Sequence, residues 1–250
     1  MSLAEQILYE DNHLIILNKR NGQIVQGDKT GDSCLVDEIK AFLKVRDHKS
    51  GNVFCGTVHR LDRPVSGVVV FAKTSKALSR MNAIVKGREI QKHYWAITKD
   101  EPQPPQGHLE DYLWRDQERN RSFIVKANHP DAKHAVLDYR LLARSKGGYY
   151  LIEVDLRTGR HHQIRAQLAH LGCPIKGDLK YGAPRSNPDG GISLHARFIS
   201  FEHPVKHVTI AVTAPLPPDP LWQAFAQDDV TALQSVRIET PNHDITTPEP

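Results

Sequence analysis

The chain has 250 residues, of which 39% are hydrophobic and 25% are charged, and its formal net charge is +4. This length and composition are enough to bury the core of one large domain or two small ones. No apolar stretch is long enough to cross a bilayer, and acidic residues near the N-terminus argue against a secretory leader. The three cysteines are widely spaced, which indicates neither a disulfide framework nor a structural zinc site. A reducing, cytoplasmic location is therefore expected.

The positive charge is unevenly distributed. Residues 220–250 contain five acidic residues and one arginine, so they carry a formal charge of −4 and the rest of the chain carries +8. A basic body of this kind favours a polyanionic partner such as nucleic acid. A solvated basic surface accounts for the charge equally well, so charge alone leaves both interpretations open.

The hydrophobic pattern predicts more strands than helices. Alternating or β-branched runs predict nine strands, at residues 13–19, 68–72, 89–98, 108–114, 121–127, 134–143, 149–156, 193–201 and 207–214. Helical periodicity predicts four helices, at residues 33–44, 76–87, 161–171 and 221–226. Ser33 and Thr74–Ser75 are the expected caps of the first two helices, and Gly87 and Gly172 are expected to end the second and third.

These elements predict an α+β fold with a mixed, largely antiparallel central sheet and flanking helices. The loop at residues 102–107 is a candidate subdomain boundary because it is rich in proline. The proline-rich segment 215–220 is expected to end the fold. We therefore assign residues 1–220 to one domain and residues 221–250 to a short helix with a flexible acidic tail.

Charged residues are concentrated directly ahead of the buried strand at residues 68–72. Residues 59–63 have the sequence HRLDR, and Pro64, Ser66 and Gly67 are expected to form a turn after them. Functional side chains are often carried by loops that a rigid scaffold holds in place. This cluster is therefore a candidate site.

A second cluster, RTGRHHQIR at residues 157–165, lies between a predicted strand and a predicted helix. A helix N-terminus favours anions, and guanidinium groups strengthen such a site. The anion is Asp62, an RNA phosphate or both, and a purely solvated basic loop is the remaining alternative. No metal site is predicted, because adjacent histidines on a helix rarely bind one ion and no Cys or acidic residue lies at ligand spacing.

Four segments resemble, in order, the motifs of the RluA-like family of RNA pseudouridine synthases. They are ILYEDNHLIILNKRNGQIV, HRLDRPVSGVVVFAKT, GRHHQIRAQLAHLGCPIKGDLKYG and LHARFISFEHP. The resemblance spans residues 6–214 and implies the pseudouridine synthase catalytic fold, with a cleft across the sheet. Two features depart from the family: Arg20 stands where a proline is usual, and the motifs begin so near Met1 that we expect no N-terminal S4 domain.

The resemblance implies that the N1–C1′ bond of a uridine in RNA is broken, the uracil rotates, and C5 is joined to C1′. Such an isomerisation involves no redox step and is expected to need no cofactor. A carboxylate suits attack at C1′, removal of a neighbouring proton or stabilisation of positive charge, and these roles stay open. Hydrolytic glycosidases use two carboxylates, whereas this motif offers Asp62 alone, which fits a leaving group that is retained.

The resemblance also implies the roles of individual residues. Asp62 is catalytic, and Arg165 pairs with it because an unpaired buried charge is costly. Tyr94 is expected to stack on the flipped uracil or to relay the C5 proton, while Trp95 faces the opposite side of its strand. Leu194 is expected to pack against the base. The further expected substrate-binding residues are His59, Arg60, Leu61, Arg63, Arg160, His162 and Gln163.

The expected partner is a stem-loop of ribosomal or transfer RNA from which the target uridine is flipped, and the protein is expected to be a monomer. Further cations are candidates for contacts with RNA phosphates, namely Lys73, Lys76, Arg80 and Lys86. An RNA-binding protein that keeps the fold without activity is one alternative, and a hydrolase or nuclease acting on another polyanion is a second. The intact set of Asp62, Tyr94 and Arg165 argues against an inactive RNA-binding protein. The lack of a second carboxylate in the motif argues against a hydrolase or nuclease.

Overall fold

The structure is a computed structural model that describes residues 2–27 and 31–227. The expected flexible acidic tail, residues 228–250, lies outside the described residues and stays a prediction. The strands are β1 Ile7–Glu10, β2 Leu14–Lys19, β3 Gly56–Thr57, β4 Ser66–Ala72, β5 Gln91–Thr98, β6 Gln106–Asp116, β7 Arg121–Val125, β8 Lys133–Arg144, β9 Tyr150–Leu156, β10 Leu194–Glu202 and β11 Thr209–Thr213. The helices are α1 Leu35–Arg46, α2 Ser75–Gly87, α3 Gln163–His170 and α4 Pro220–Gln227.

The described strands form one sheet, which confirms the predicted α+β class. Its main order is β1-β2-β4-β10-β5-β9-β8-β6-β7, with β3 paired to β4 and β11 paired to β10. Every pair is antiparallel except β4 with β10. Residues 102–105 lead directly into β6, which begins at Gln106, so this segment marks no break in the sheet. None of the described helices is long and apolar enough to cross a membrane.

The sheet is covered on both faces, which explains why its central strands are apolar without alternation. All seven residues of β4 are buried. Val69 and Phe71 pack in the cluster that contains residues of α1 and α3, whereas Val68 and Val70 pack with Ala77 of α2 on the other face. The same alternation holds in β5. The cluster of α1 and α3 includes its Tyr94, whereas Trp95 packs with Phe225 of α4, as predicted.

Some predicted helix ends are wrong in detail. Thr74 caps α2, because the amide of Ala77 donates to its hydroxyl at 3.1 Å. Ser33 does not cap α1: the N-cap residue is Cys34, and the Ser33 hydroxyl donates to Glu38 instead. Helix α2 ends at Gly87 as expected, but the left-handed residue that follows it is Arg88, with φ +60°. A left-handed position after a helix does not always select glycine, because the backbone bonds of the cap also stabilise it.

Ser66 and Gly67, predicted as part of a turn, are the first residues of β4. They pair in parallel with His195 and Ala196 of β10, and the Ser66 hydroxyl lies 2.9 Å from His195 Nδ1. Gly67 has φ +112°, and a Cβ on it would lie 2.5 Å from the amide nitrogen of Ala196. Only glycine permits this backbone approach. The parallel pair therefore brings the loop ahead of β4 next to the start of β10.

Candidate active site

One cavity of 970 Å³ lies where the loop ahead of β4, strand β5, the segment before α3 and the start of β10 meet. All of the sequence-predicted site residues line it: His59, Arg60, Leu61, Asp62, Arg63, Tyr94, Arg160, His162, Gln163, Arg165 and Leu194. The structure therefore brings together two clusters that are about a hundred residues apart in sequence, with Asp62 and Arg165 separated by 103 positions.

The charges around the cavity are almost all positive. Ten lysines and arginines line it: Arg60, Arg63, Lys86, Arg88, Lys92, Arg115, Arg157, Arg160, Arg165 and Lys180. Asp62 is the single carboxylate among the described lining residues. Of the cations suggested for phosphate contacts, Lys73, Lys76 and Arg80 do not line the cavity, and Lys73 pairs with Glu10 instead. A cavity of this charge suits an anionic ligand.

Asp62 is held by Arg165, as the sequence suggested. Arg165 Nη1 donates to Asp62 Oδ2 at 3.1 Å, with 6% of the arginine side chain and 30% of the aspartate side chain exposed. The rest of the guanidinium binds Asp178: Nε donates to Oδ2 at 2.6 Å and Nη2 to Oδ1 at 2.8 Å. Burial opposes the charge of Arg165, but Asp178 and Asp62 more than offset it and raise its pKa.

His162 is a second neighbour of the same carboxylate. It precedes α3 in a left-handed conformation, φ +52°, and its Nε2 lies 3.4 Å from Asp62 Oδ2. Burial and then the charge of Arg165 lower the pKa of His162 to about 2, so its imidazole is neutral. Its Nδ1 lies 3.0 Å from the hydroxyl of Tyr181, and its ring stacks on His161.

Tyr94 and Leu194 form the apolar side of the cavity. They lie on the neighbouring strands β5 and β10, where Leu194 pairs with Ala96, and both are buried. Burial and then the charge of Asp62 raise the pKa of the Tyr94 phenol well above its usual value, so the phenol stays protonated. An aromatic face beside a carboxylate is a suitable place for a flipped base.

The other predicted side chains are partly committed to the protein. Burial lowers the pKa of His59 to about 3, and its Nε2 accepts from the amide of Val70. The Gln163 amide oxygen accepts from the Thr158 hydroxyl at 2.8 Å and from the Arg160 amide at 3.0 Å. The Gln163 side chain therefore shapes the turn ahead of α3 from within the protein.

Lys19 is a site residue that the sequence analysis missed. Its fully buried ammonium donates to the backbone carbonyls of Arg20, Asp62, Arg63 and Val65, at 3.0, 3.2, 3.1 and 2.6 Å. Burial lowers its pKa to about 7, although the charge of Asp62 opposes this shift. Lys19 thus fixes the backbone that carries Asp62. The available signal was a lysine at the end of an apolar strand, where a charge requires partners.

Asp178 and Tyr181 were also missed as individual residues. They belong to the segment GDLKYG, residues 177–182, at the end of the third motif that resembles the family. Both are buried, and neither lines the cavity. Within the part of the chain that the structure describes, no group of three or more His, Cys, Asp or Glu residues is arranged to hold a metal ion.

The sequence model of the RNA pseudouridylate synthase family matches residues 13–170, more than half of the chain. The chain belongs to the RNA pseudouridine synthases. It is therefore an isomerase that converts uridine in RNA to pseudouridine. The match includes both the loop with Asp62 and the segment with Arg165.

Relatives and solved structures agree with this membership. The uncharacterized RNA pseudouridine synthase YlyB of Bacillus subtilis is 31% identical over 85% of this chain and 69% of its own length. The ribosomal large subunit pseudouridine synthase D of Xanthomonas campestris is 33% identical over 92% of this chain and 72% of its own length. The structure of human RNA pseudouridylate synthase domain containing 4 matches with a TM-score of 0.72 and 26% identity over 96% of each chain. These similarities confirm the expected family and fold.

Proposed function

We propose that this synthase uses Asp62 to act at C1′ of a uridine in structured RNA. The observation that carries the proposal is that Asp62 is the single carboxylate among the described residues lining a cavity with ten cationic side chains. A carboxylate is suited to chemistry at a glycosidic carbon. One carboxylate is sufficient when the uracil is retained and rejoined rather than replaced by water.

Arg165 and Tyr94 have supporting roles in this proposal. Arg165 orients the Asp62 carboxylate through the 3.1 Å contact between Nη1 and Oδ2. Tyr94 stacks on the flipped uracil, and Leu194 packs against the base from the adjacent strand. The base must leave its stack to reach this buried position, so a loop or a weak stem is the favoured context.

The exposed cations around the cavity bind the RNA backbone. Arg60, Lys86 and Arg88 are exposed and lie at its edge, where they contact phosphates without selecting a sequence. Ribosomal RNA is the favoured substrate class, because a relative that aligns over 92% of this chain is named a ribosomal large subunit pseudouridine synthase, and transfer RNA is the alternative. We further propose that the enzyme acts in the cytoplasm as a monomer without a cofactor.

The decisive variant is Asp62→Asn, which keeps the shape of the side chain and removes its charge. The assay measures tritium release from total RNA labelled at C5 of uridine, with filter binding of the same RNA run in parallel. Turnover is expected to fall by several orders of magnitude, as for other members of a catalytic unit. RNA binding is expected to persist, since it depends on many phosphate contacts and on stacking.

Near-normal tritium release by Asp62→Asn would refute the catalytic assignment. Joint loss of release and RNA binding by a folded variant would show that Asp62 organises the site rather than performs the chemistry. The target itself is found by comparing pseudouridines in ribosomal and transfer RNA from cells with and without the gene. An inactive RNA-binding protein would leave both RNA classes unchanged.

A further inference from the structure

The two side chains that contact the Asp62 carboxylate, Arg165 and His162, are held by one short turn. The segment GDLKYG, residues 177–182, contains a 3₁₀ turn at Leu179–Tyr181, so Asp178 and Tyr181 are three positions apart. Opposite them, His162 and Arg165 are also three positions apart, at the start of α3. The two pairs face each other, because Asp178 binds the guanidinium of Arg165 and the Tyr181 hydroxyl lies 3.0 Å from His162 Nδ1.

The first pair of contacts fixes the guanidinium of Arg165. Asp178 is 1% exposed and binds Nε and Nη2 of Arg165 through both of its oxygens, at 2.6 and 2.8 Å. A bidentate pair of this kind sets the plane of the guanidinium. The remaining nitrogen, Nη1, is then the one that reaches Asp62.

The second pair of contacts fixes the proton of His162. The amide of Ser122 donates to the Tyr181 oxygen at 2.8 Å, so the oxygen already has a donor. Its own proton lies within reach of His162 Nδ1, at 3.0 Å, and of the Ser122 carbonyl, at 3.2 Å. When the Tyr181 hydroxyl donates this proton to Nδ1 in a hydrogen bond, the neutral imidazole of His162 carries its own hydrogen on Nε2. That nitrogen lies 3.4 Å from Asp62 Oδ2.

We propose that Asp178 and Tyr181 are positioning residues that orient the carboxylate of Asp62, Asp178 through Arg165 and Tyr181 through the tautomer of His162. Both residues are buried and neither lines the cavity, so neither is expected to contact RNA that binds there. The ring of Tyr181 also lies over the guanidinium, 5.0 Å from its central carbon, which links the two sets of contacts. This inference rests on the proposed function of Asp62.

The first test is Tyr181→Phe, which removes the hydroxyl and keeps the ring over Arg165. The kcat for tritium release is expected to fall about tenfold, the cost of one hydrogen bond, while KM for the labelled total RNA stays within about twofold. Asp178→Asn is expected to lower kcat by about a hundredfold, because it frees the guanidinium to turn away from Asp62. Leu179→Ala is the matched control in the same turn, since its side chain is 58% exposed and is expected to leave kcat unchanged.

A double-mutant cycle separates positioning from a purely structural role. If Tyr181 acts through His162, Tyr181→Phe costs less than about twofold in kcat when His162→Gln is already present. An equal tenfold loss in both backgrounds would overturn this route. Asp178→Asn is interpreted only with a melting curve that shows a folded protein. If it does not fold, Asp178→Glu replaces it, because the longer side chain keeps the charge but displaces the guanidinium, and an unchanged kcat would overturn the role of Asp178.

Asp62→Asn in the same assay separates this inference from the proposed function. If Asp62→Asn is inactive while Tyr181→Phe and folded Asp178→Asn keep full kcat, the positioning roles are wrong and the role of Asp62 stands. If Asp62→Asn remains active, both proposals fall together. A rise in KM without a change in kcat would also overturn the inference, because it would indicate a contact with RNA.

Discussion

Gly67→Ala should destabilise the protein strongly, because this glycine lies where the two strands of the parallel pair touch. Its φ of +112° is unfavourable for an L-residue, which costs about 1–2 kcal/mol. The new Cβ would also lie 2.5 Å from the amide nitrogen of Ala196. Neither backbone has room to move within a buried sheet, so overpacking adds about 1–3 kcal/mol. The expected loss is about 2–5 kcal/mol, which lowers Tm by about 10 °C in a chain of this size.

Gly172→Ala is the matched control, because it isolates the conformational cost. Gly172 has φ +88° and no heavy atom within 4 Å of the position that a Cβ would take. Its substitution should cost about 1–2 kcal/mol and lower Tm by about 4 °C. Thermal unfolding followed by circular dichroism measures both variants. The difference between them is the cost of the contact between β4 and β10.

Activity gives an independent measure of the same displacement. If β4 moves away from β10, the loop with Asp62 shifts relative to Leu194, and a shift of about 1 Å can lower turnover about a hundredfold. Gly67→Ala should therefore lose turnover well below its Tm, whereas Gly172→Ala should not. Equal Tm values for the two variants would refute the claim that close backbone approach requires Gly67.

Three further predictions concern the charges of the site and core. Lys19→Met removes the ammonium that binds four backbone carbonyls near Asp62, so kcat for tritium release should fall about a hundredfold while RNA binding persists. An unchanged kcat would show that the loop with Asp62 keeps its position without Lys19. Burial lowers the pKa of His195 to about 3 and, with Arg165, that of His162 to about 2. These histidines therefore take up protons near pH 6.5 in the unfolded chain but not in the folded chain. Acidification from pH 7 to pH 5 should lower the free energy of unfolding by about 2 kcal/mol for each of the two histidines. The loss should appear as a falling Tm, and a constant Tm would contradict it. RNA affinity should fall steeply as the salt concentration rises. Arg88→Met should make the slope of log binding constant against log salt concentration shallower by about 0.7–0.9. Binding that is insensitive to salt would exclude phosphate contacts.

The features that sequence could predict are those encoded over a few neighbouring residues. The buried run of β4 follows directly from its β-branched residues, and the alternation in β5 correctly placed Tyr94 and Trp95 on opposite faces. The two charged clusters are also local, so their residues could be nominated individually. No local pattern encodes a contact across 103 positions. The meeting of the two clusters in one cavity was therefore expected from the family resemblance and not from either cluster alone.

The features that sequence missed depend on distant partners. Lys19 is 46 positions from the carbonyl of Val65, and Tyr181 is 59 positions from the amide of Ser122. Gly67 looked like a turn residue because glycine commonly marks turns, whereas its role is set by a strand that follows more than a hundred residues later. Composition and spacing carry no information about such neighbours.

The late position of β10 in the chain has a consequence for biosynthesis. β10 begins at Leu194, yet it lies in the middle of the sheet, between β4 and β5. A growing chain that ends before this strand has two separate half-sheets with open edges, β1-β2-β4 on one side and β5-β9-β8-β6-β7 on the other. The loop with Asp62 and the helix with Arg165 belong to different halves. Nascent chains should therefore be unable to modify RNA before β10 has been synthesised, because only β10 joins the two halves of the sheet.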